Sequence, residues 1–505
     1  ADAAPVPARI ARATSGRRPG GCGSGVGAVC RLFDAQLLRD KAAYMAAMRM
    51  SCGSVRELMF ALRIDLTRNF ANIAKSKLHE KFTEVPEPIQ AYQTEVKEQL
   101  IMIRDWPEDE LPNSEKLAFF RETRHAFGRT ALLLSGGGTH GTFHMGVCKA
   151  LFENHMLPRV LAGSSAGAVV CGIVATRTDA ELSALFERVE EFDMTFFAHS
   201  GVLAMARQIL RKGSLQDMAH MVRKLRQLYG DLTFLEAYER SGRILNVSIT
   251  PADTNEPPRL LNYLTAPHAL VWSAVAASSA FPGLFPAQHL LARNTLGEIV
   301  TFSALIGDGG LERRWRDGSL EMDLPTQALS EMFNCNHFVV SQANPHLVPL
   351  LHLKRALPGC WGSVVEAEFK HRCHVAQLTA PHFARPAARL LSLFTQPWTG
   401  DITMMLPLSL HYGVNPMINP DAGQLAALLH MGELAGWEKL SAIECNCSVE
   451  ATLDACMAAV TNAARGRRFA RGVGAGGSAA RLPPGAAHPF APRIPSWLHM
   501  PALGM

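Results

Sequence analysis

The residues of this chain best suited to covalent chemistry are in the segment Gly163-Ser-Ser-Ala-Gly167. It has the G-x-S-x-G spacing and lies between an apolar run at 157–162 and a stretch of small residues at 168–176. A serine at a sharp strand-to-helix turn is exposed as a nucleophile, and the amides of the helix N-terminus favour negative charge beside it. Glycines at both ends, Gly163 and Gly167, avoid the Cβ collisions of such a turn. The pattern therefore predicts Ser165 as the nucleophile of an acyl transfer.

A glycine-rich segment, Gly136-Gly-Gly-Thr-His-Gly141, follows another apolar run at 132–134. It also matches the G-x-G-x-x-G spacing of a dinucleotide site, but that site needs an acidic residue about 20 positions on. Residues 158–168 contain no acid, and no Lys-Ser or Lys-Thr pair follows the last glycine, which excludes a phosphate-binding P-loop. We therefore predict no cofactor and no metal, and expect an oxyanion hole formed by backbone amides of the loop glycines. These glycines are Gly136, Gly137, Gly138 and Gly141.

Two Asp-Gly pairs are candidates for the general base that activates the serine. Asp308-Gly309-Gly310 is followed by a charged stretch, whereas Asp317-Gly318 precedes Asp323-Leu-Pro325, which would lead the chain out of the site into a helix. A base must lie within about 3 Å of the serine oxygen, and a flexible charged loop would hold it poorly. We therefore expect the base to be Asp317 and not Asp308. Histidine is the usual base in such chemistry. The residues alone leave four histidines open as alternatives: His268, His289, His337 and His346.

The elements that must position these residues alternate between strands and helices over 129–350. Such alternation predicts a mostly parallel sheet with helices on both faces, a three-layer α/β/α catalytic core. A helical N-terminal domain is expected at 31–128 and a mixed, largely helical region at 351–462. The ends are rich in Ala, Gly, Pro and Arg. We expect a disordered or transit-like leader at 1–30 and a disordered tail at 463–505.

Composition limits the classes of partner and compartment. A net charge of +5 over 505 residues gives no sign of nucleic-acid binding. Eleven cysteines, an odd number without a C-x-x-C pair, favour a reducing compartment. Prolines interrupt the long uncharged stretch 260–292, so a peripheral protein is expected instead of a membrane-spanning one. The segment 383–398 could be an interfacial amphipathic helix or a helix that packs on the core.

The glycine loop, the serine pentapeptide and Asp317-Gly318, in that order, resemble the patatin-like phospholipase family. The likeness extends to the plant and fungal triacylglycerol lipases of that family through 123–135, 259–265, 315–325, 333–346 and 437–443. The resemblance implies a Ser–Asp dyad of Ser165 and Asp317, with no role for a histidine. This sequence departs from the family pattern at 292–313, which is longer, and at Thr139-His140 in the oxyanion loop.

The function implied by the resemblance is hydrolysis of triacylglycerol through an acyl-enzyme, in storage-lipid breakdown. It also implies a peripheral location on lipid droplets or on the cytoplasmic face of membranes. A phospholipase A and an acyl-CoA-dependent transacylase form the same acyl-enzyme, so both stay open. An inactive lipid-droplet scaffold is the third hypothesis, and the intact motifs argue against it because a scaffold needs none of them.

Overall fold

The described part of the chain begins at residue 32 and ends at residue 473 of this computed structural model. Within it, residues 52, 76–77, 79–83, 192, 199–207, 209, 211–213, 255, 306–312, 359 and 382–387 are not described. The predicted leader, the Asp308-Gly309-Gly310 segment and the end of the predicted tail therefore lie outside the described residues.

A mixed sheet, eight-stranded over the described residues, forms the centre of the molecule. Its strand order is β10-β9-β1-β2-β3-β8-β5, with β4 paired to β3, and β6 and β7 form a separate hairpin. Neighbours from β10 to β3 run parallel, whereas β4 and β8 are antiparallel to β3 and β5 is antiparallel to β8. The strands are β1 (Arg129–Leu134), β2 (Val160–Gly163), β3 (Ile244–Pro251), β4 (Arg259–Leu261), β5 (Gln288–His289), β6 (Leu291–Arg293), β7 (Ile299–Thr301), β8 (Arg314–Asp317), β9 (Cys335–Gln342) and β10 (Ile402–Met405).

Helices cover both faces of the sheet, so every residue of β3 and nearly every residue of β1 is buried. This arrangement confirms the predicted mostly parallel α/β core with helical regions before and after it. The helices are α1 (Ala35–Ser51), α2 (Val55–Asp65), α3 (Glu87–Asp105), α4 (Asn113–Phe127), α5 (Thr142–Glu153), α6 (Ala166–Ala175), α7 (Asp179–Glu187), α8 (Met218–Tyr229), α9 (Phe234–Ser241), α10 (Val271–Ser278), α11 (Phe302–Leu305), α12 (Thr326–Phe333), α13 (Val348–Ala356), α14 (Trp361–Thr379), α15 (Ser392–Thr395), α16 (Leu408–Gly413) and α17 (Ala422–Val473).

Strand register brings the predicted motifs together at the carboxyl ends of the parallel strands. Leu134, the last residue of β1, pairs with Gly163 at the end of β2, and Gly163 pairs with Val247 in β3. Two residues further along β3, Ile249 pairs with Asp317, the last residue of the antiparallel strand β8. The glycine loop, the serine turn and the aspartate turn therefore leave the sheet side by side, as ligand-binding loops of α/β sheets do.

The helical regions at the two ends of the chain share one core. Helices α1 to α4 bury apolar side chains against the distal half of α17, through Cys445, Val449, Leu453, Cys456 and Val460. The proximal half of α17 packs on α5 so closely that a Cβ atom at Gly432 would lie 2.1 Å from the Phe143 carbonyl oxygen. Region 351–462 is therefore continuous in packing with both preceding regions.

Helix α17 also corrects the predicted start of the tail, because it continues past residue 463 to Val473. Alanine and arginine dominate 463–471, and both are strong helix formers, so a helix already anchored by its core continues through them.

Segment 383–398 is described only from residue 388 onward, and that part packs on protein. Phe394 and Trp398 contact Phe369 in α14, and Trp398 is buried in a small core with Leu347. Of the two alternatives for this segment, packing on the core is therefore found for 388–398. Among all described helices, none combines the length and apolar character required to cross a bilayer.

Candidate active site

Ser165 occupies the strained turn that its sequence context predicts. It caps the N-terminus of α6 with φ +51° and ψ −123°, a conformation that non-glycine residues rarely adopt. The flanking glycines permit close backbone contact: a Cβ at Gly163 would lie 2.5 Å from the Gly167 carbonyl carbon, and one at Gly167 would lie 2.0 Å from Leu134 O. The turn thus exposes the Ser165 hydroxyl at the start of a helix, whose amides favour negative charge.

The Ser165 backbone is held by Ser278, a residue that no sequence motif singles out. The Ser165 amide donates to Ser278 Oγ at 3.0 Å, and the Ser278 hydroxyl donates to the Ser248 carbonyl at 2.7 Å. Ser278 ends α10, a helix of small buried residues whose pattern indicates only tight packing. This chain of hydrogen bonds connects the serine turn to β3 and offsets the strain at Ser165.

Asp317 is buried beside Ser165, with 1% of its surface exposed. One carboxylate oxygen, Oδ1, accepts the Ser319 amide at 2.8 Å, while Oδ2 is buried without a hydrogen-bond partner among the described residues. Burial raises the pKa of Asp317 to about 7, and hydrogen bonding to Ser319 and to the Ser165 side chain opposes that rise. A carboxylate with a free oxygen and a pKa near neutrality, close to Ser165, is suited to accept the serine proton.

The four histidines considered as alternative bases lie elsewhere. His337 is near the start of β9, at the amino ends of the parallel strands and away from Ser165. Its Nδ1 lies 3.3 Å from Thr130 Oγ1. His346 packs against Phe394, and burial lowers its pKa to about 4. His289 is exposed in β5, and none of the four lines the cavity at Ser165. Among the described residues, Asp317 interacts with the Ser165 side chain, and none of these four histidines lines the cavity beside it.

The glycine loop differs in part from the predicted oxyanion hole. The Gly136 amide donates to Asp323 Oδ1 at 3.0 Å, so the prediction that Gly136 is an oxyanion donor is wrong. Gly137 (φ +151°) and Gly138 (φ +58°) adopt left-handed conformations. A Cβ atom would lie 2.7 Å from Ala343 O at Gly137 and 2.1 Å from Pro416 O at Gly138.

The amides of Gly137 and Gly138 make no hydrogen bond to protein within the described residues, so both can donate to an oxyanion. Gly138 and Gly141 line the same cavity as Ser165. At Gly141 the absence of a side chain serves packing, because a Cβ there would lie 2.5 Å from the Ala166 Cβ.

Asp323 is a second buried carboxylate in this site, and its sequence context predicts only the exit of the aspartate turn. Its Oδ1 accepts the Gly136 amide and the Ser164 hydroxyl, and its Oδ2 accepts Asn344 Nδ2 at 2.6 Å. Burial raises the pKa of Asp323, whereas these three donors favour the ionised form. Asp323 thus joins the loops that follow β1, β2, β8 and β9.

Thr139 and His140, the pair that departs from the family pattern, bind protein groups. The Thr139 side chain donates to the Ile418 carbonyl and its amide donates to Pro416 O at 3.0 Å. His140 Nε2 lies 2.9 Å from Val414 O, and the His140 side chain is buried. Both residues therefore attach loop 414–418 to the glycine loop.

An apolar cavity of about 50 Å³ extends from Ser165. Aromatic and aliphatic side chains form its walls, and no charged side chain lines it among the described residues. Asn419 fixes one wall, because it accepts the Phe197 amide at 2.9 Å and donates to the Phe197 carbonyl at 2.7 Å. The apolar wall residues are Val169, Val170, Met194, Phe196, Phe197, Met221, Leu284 and Phe285.

Comparison with known proteins identifies the relatives of this chain. The profile described as patatin-like phospholipase matches residues 132–329, and a domain of unknown function (DUF3336) matches residues 27–125. Triacylglycerol lipase SDP1L of Arabidopsis thaliana is 41% identical over 92% of this chain and 60% of its own length. Triacylglycerol lipase 4 of Saccharomyces cerevisiae is 33% identical over 84% of this chain and 48% of its own length. Triacylglycerol lipase ptl3 of Schizosaccharomyces pombe is 34% identical over 79% of this chain and 83% of its own length.

Proposed function

This chain belongs to the patatin-like phospholipase family, and we propose that it hydrolyses the acyl esters of triacylglycerol. The observation that carries the proposal is the position of Ser165 between an apolar cavity and the buried carboxylate of Asp317, which interacts with the Ser165 side chain. Curated relatives named triacylglycerol lipase support the same substrate class, although this chain spans only 60% and 48% of the first two.

In the proposed acylation, Ser165 Oγ attacks the ester carbonyl carbon and its proton passes to the Asp317 carboxylate. The carbonyl oxygen becomes an oxyanion that accepts hydrogen bonds from the amides of Gly137 and Gly138. When the tetrahedral intermediate collapses, the bond to the glycerol oxygen breaks. That oxygen takes the proton from Asp317, and diacylglycerol leaves while the acyl group stays on Ser165.

Deacylation repeats these steps with water as the nucleophile. Asp317 takes one proton from water as the hydroxide attacks the acyl carbonyl, and Gly137 and Gly138 again stabilise the oxyanion. The ester bond to Ser165 then breaks, Ser165 Oγ recovers the proton, and the fatty acid leaves. One carboxylate therefore serves as base and acid in turn, so no histidine is required.

The cavity supports a neutral substrate. A phospholipid headgroup would carry a charged phosphate close to the scissile ester, and no charged side chain lines this cavity among the described residues. A triacylglycerol has only apolar chains and ester groups, which match the aromatic and aliphatic walls. We therefore propose triacylglycerol as the preferred substrate and a peripheral location at the surface of lipid droplets, where that substrate is stored.

Release of fatty acid from emulsified triolein and from phosphatidylcholine vesicles tests the proposal. We expect faster release from triolein and no release from either lipid by Ser165→Ala. Faster release from phosphatidylcholine would change the assigned activity from triacylglycerol lipase to phospholipase A. Acyl transfer from acyl-CoA to an added acceptor, faster than hydrolysis, would replace it by a transacylase. No turnover of any of these substrates would overturn the enzyme assignment.

A further inference from the structure

A second cleft lies at the amino ends of the parallel strands, opposite the carboxyl ends where Ser165 lies. Three neighbouring parallel strands start there with an arginine: Arg129 opens β1, Arg159 directly precedes β2, and Arg243 directly precedes β3. Register pairs Val160 with Ile244, so Arg159 and Arg243 lie side by side, about 4.8 Å apart along the sheet. The six residues of β1, at about 3.3 Å each, separate the amino ends of the strands from the carboxyl ends at the active site by about 20 Å.

These three arginines and Arg124 line a cleft of about 460 Å³. Arg124 and Arg243 are buried at its base, Arg129 is half-buried and Arg159 is exposed to solvent. An incoming ligand can therefore reach Arg129 and Arg159 directly.

Positive charge exceeds negative charge around this cleft. Its four arginines face three carboxylates, of Asp179, Glu450 and Asp454. Asp179 pairs with Arg243, and Asp454 pairs with Arg124 and also attracts Arg159. Glu450 pairs with Arg124 and with Arg68, which approaches from outside the cleft. The four arginines that line the cleft outnumber its three carboxylates, and two of these arginines, Arg129 and Arg159, are accessible to solvent. Over the described part of the chain, the Arg129 guanidinium makes no hydrogen bond or ion pair.

Apolar and aromatic side chains also line the cleft. They are those of Phe152, Met156, Leu157, Met457 and Tyr238, and the Tyr238 ring stacks on Tyr263 at 4.2 Å. A single inorganic anion would leave most of such a volume empty, since clefts of about 300–1,000 Å³ hold whole small molecules. The ligand that fits has an anionic end and an apolar or aromatic body.

From this geometry we propose that the arginine cleft binds a phosphate monoester with an apolar or aromatic body. A phosphate monoester carries about two negative charges, one for each of the accessible guanidinium groups of Arg129 and Arg159, whereas a carboxylate carries one. The planar guanidinium groups of Arg129 and Arg159 can each donate two hydrogen bonds to phosphate oxygens. The proposal does not depend on the lipase activity, because the cleft shares no residue with the Ser165 cavity.

Titration calorimetry on the full chain tests this site with four probes: inorganic phosphate, hexyl phosphate, adenosine monophosphate and hexanoate. We expect one of the two phosphate monoesters to bind more tightly than inorganic phosphate and more tightly than hexanoate. Tighter binding of hexyl phosphate indicates a lipid-like ligand, and tighter binding of adenosine monophosphate indicates a nucleotide. Hexanoate binding as tight as hexyl phosphate, or no monoester binding below about 1 mM, would overturn the proposal.

Variants then locate the bound monoester. Arg129→Gln and Arg159→Gln should each weaken its binding about tenfold, because each removes charge-assisted hydrogen bonds. Arg372→Gln is the matched control, since Arg372 is exposed on α14 and pairs only with Glu368 among the described residues. Arg159 is exposed, so its variant should keep the wild-type melting temperature even if Arg129→Gln does not fold. Unchanged affinity in Arg159→Gln would place the ligand elsewhere and refute the assignment.

Discussion

The Gly136 amide donates a 3.0 Å hydrogen bond to Asp323 Oδ1, although the two residues are 187 positions apart. This bond joins the glycine loop after β1 to the turn that carries Asp317. Because Asp323 also accepts the Ser164 hydroxyl, a single carboxylate joins the glycine loop, the turn that carries Ser165 and the turn that carries Asp317. Catalysis should therefore depend on all three loops keeping their contact with Asp323.

Ser165→Ala should reduce ester hydrolysis about 10³-fold or more, because the covalent nucleophile is lost. The hydroxyl contributes little packing, so the melting temperature should stay at the wild-type value. Initial rates on emulsified triolein, with a thermal melt of the same preparation, check both statements. Substantial hydrolysis by a folded Ser165→Ala protein would show that another residue is the nucleophile.

Asp317→Asn should inactivate the enzyme as fully as Ser165→Ala, since the amide cannot accept the serine proton. Asp308→Asn is its matched control: Asp308 lies outside the described residues, and it should keep most of the wild-type rate. The two variants should be compared on one emulsified ester. The reverse order of activities would move the base to Asp308.

Activity should increase with pH through about 7, because burial raises the pKa of Asp317 to about 7 and only its ionised form is a base. Below that pH the carboxyl is protonated, and kcat/KM should fall about tenfold per pH unit. A soluble short-chain ester, assayed from about pH 5 to about pH 9, avoids changes in emulsion structure. A rate independent of pH across this range would contradict a buried carboxylate base.

Asp323→Asn should shift the fall of kcat/KM at acidic pH to a lower pH. The negative charge of Asp323 raises the pKa of Asp317, so removing it makes Asp317 easier to ionise. The substituted amide keeps an acceptor oxygen for Gly136, whereas Asp323→Ala keeps none and should lose activity at every pH. If Asp323→Asn lowered the rate without shifting the pH profile, Asp323 would act on structure alone.

Gly137→Ala should lower kcat strongly, because its Cβ would lie 2.7 Å from the Ala343 carbonyl oxygen and displace the amide that we propose as an oxyanion donor. Gly230→Ala is a suitable control, since Gly230 also has positive φ, at 62°, but has open space around its Cβ position. Both variants strain the backbone, so an equal loss of stability with unequal loss of kcat would assign the difference to catalysis. Equal kcat in both variants would exclude Gly137 from the oxyanion hole.

Local sequence was enough to predict the strand–turn–helix around Ser165 and the α/β core. The serine turn depends on small residues within a few positions, since a Cβ atom at Gly163 or Gly167 would collide with backbone nearby. Alternating apolar runs likewise predict a covered parallel sheet, because strands buried on both faces contain few polar residues. The order of the three motifs was sufficient for the family resemblance, which the comparisons confirm.

Only the tertiary structure decided which polar groups around Ser165 already have hydrogen-bond partners. Whether Gly136 faces an oxyanion or a carboxylate depends on Asp323, and the support of Ser165 depends on Ser278, 113 positions away. The arginine cleft likewise exists only because register aligns the starts of three strands. Such contacts join elements distant in sequence, and a single sequence carries propensity and periodicity within each element but no record of which elements become neighbours.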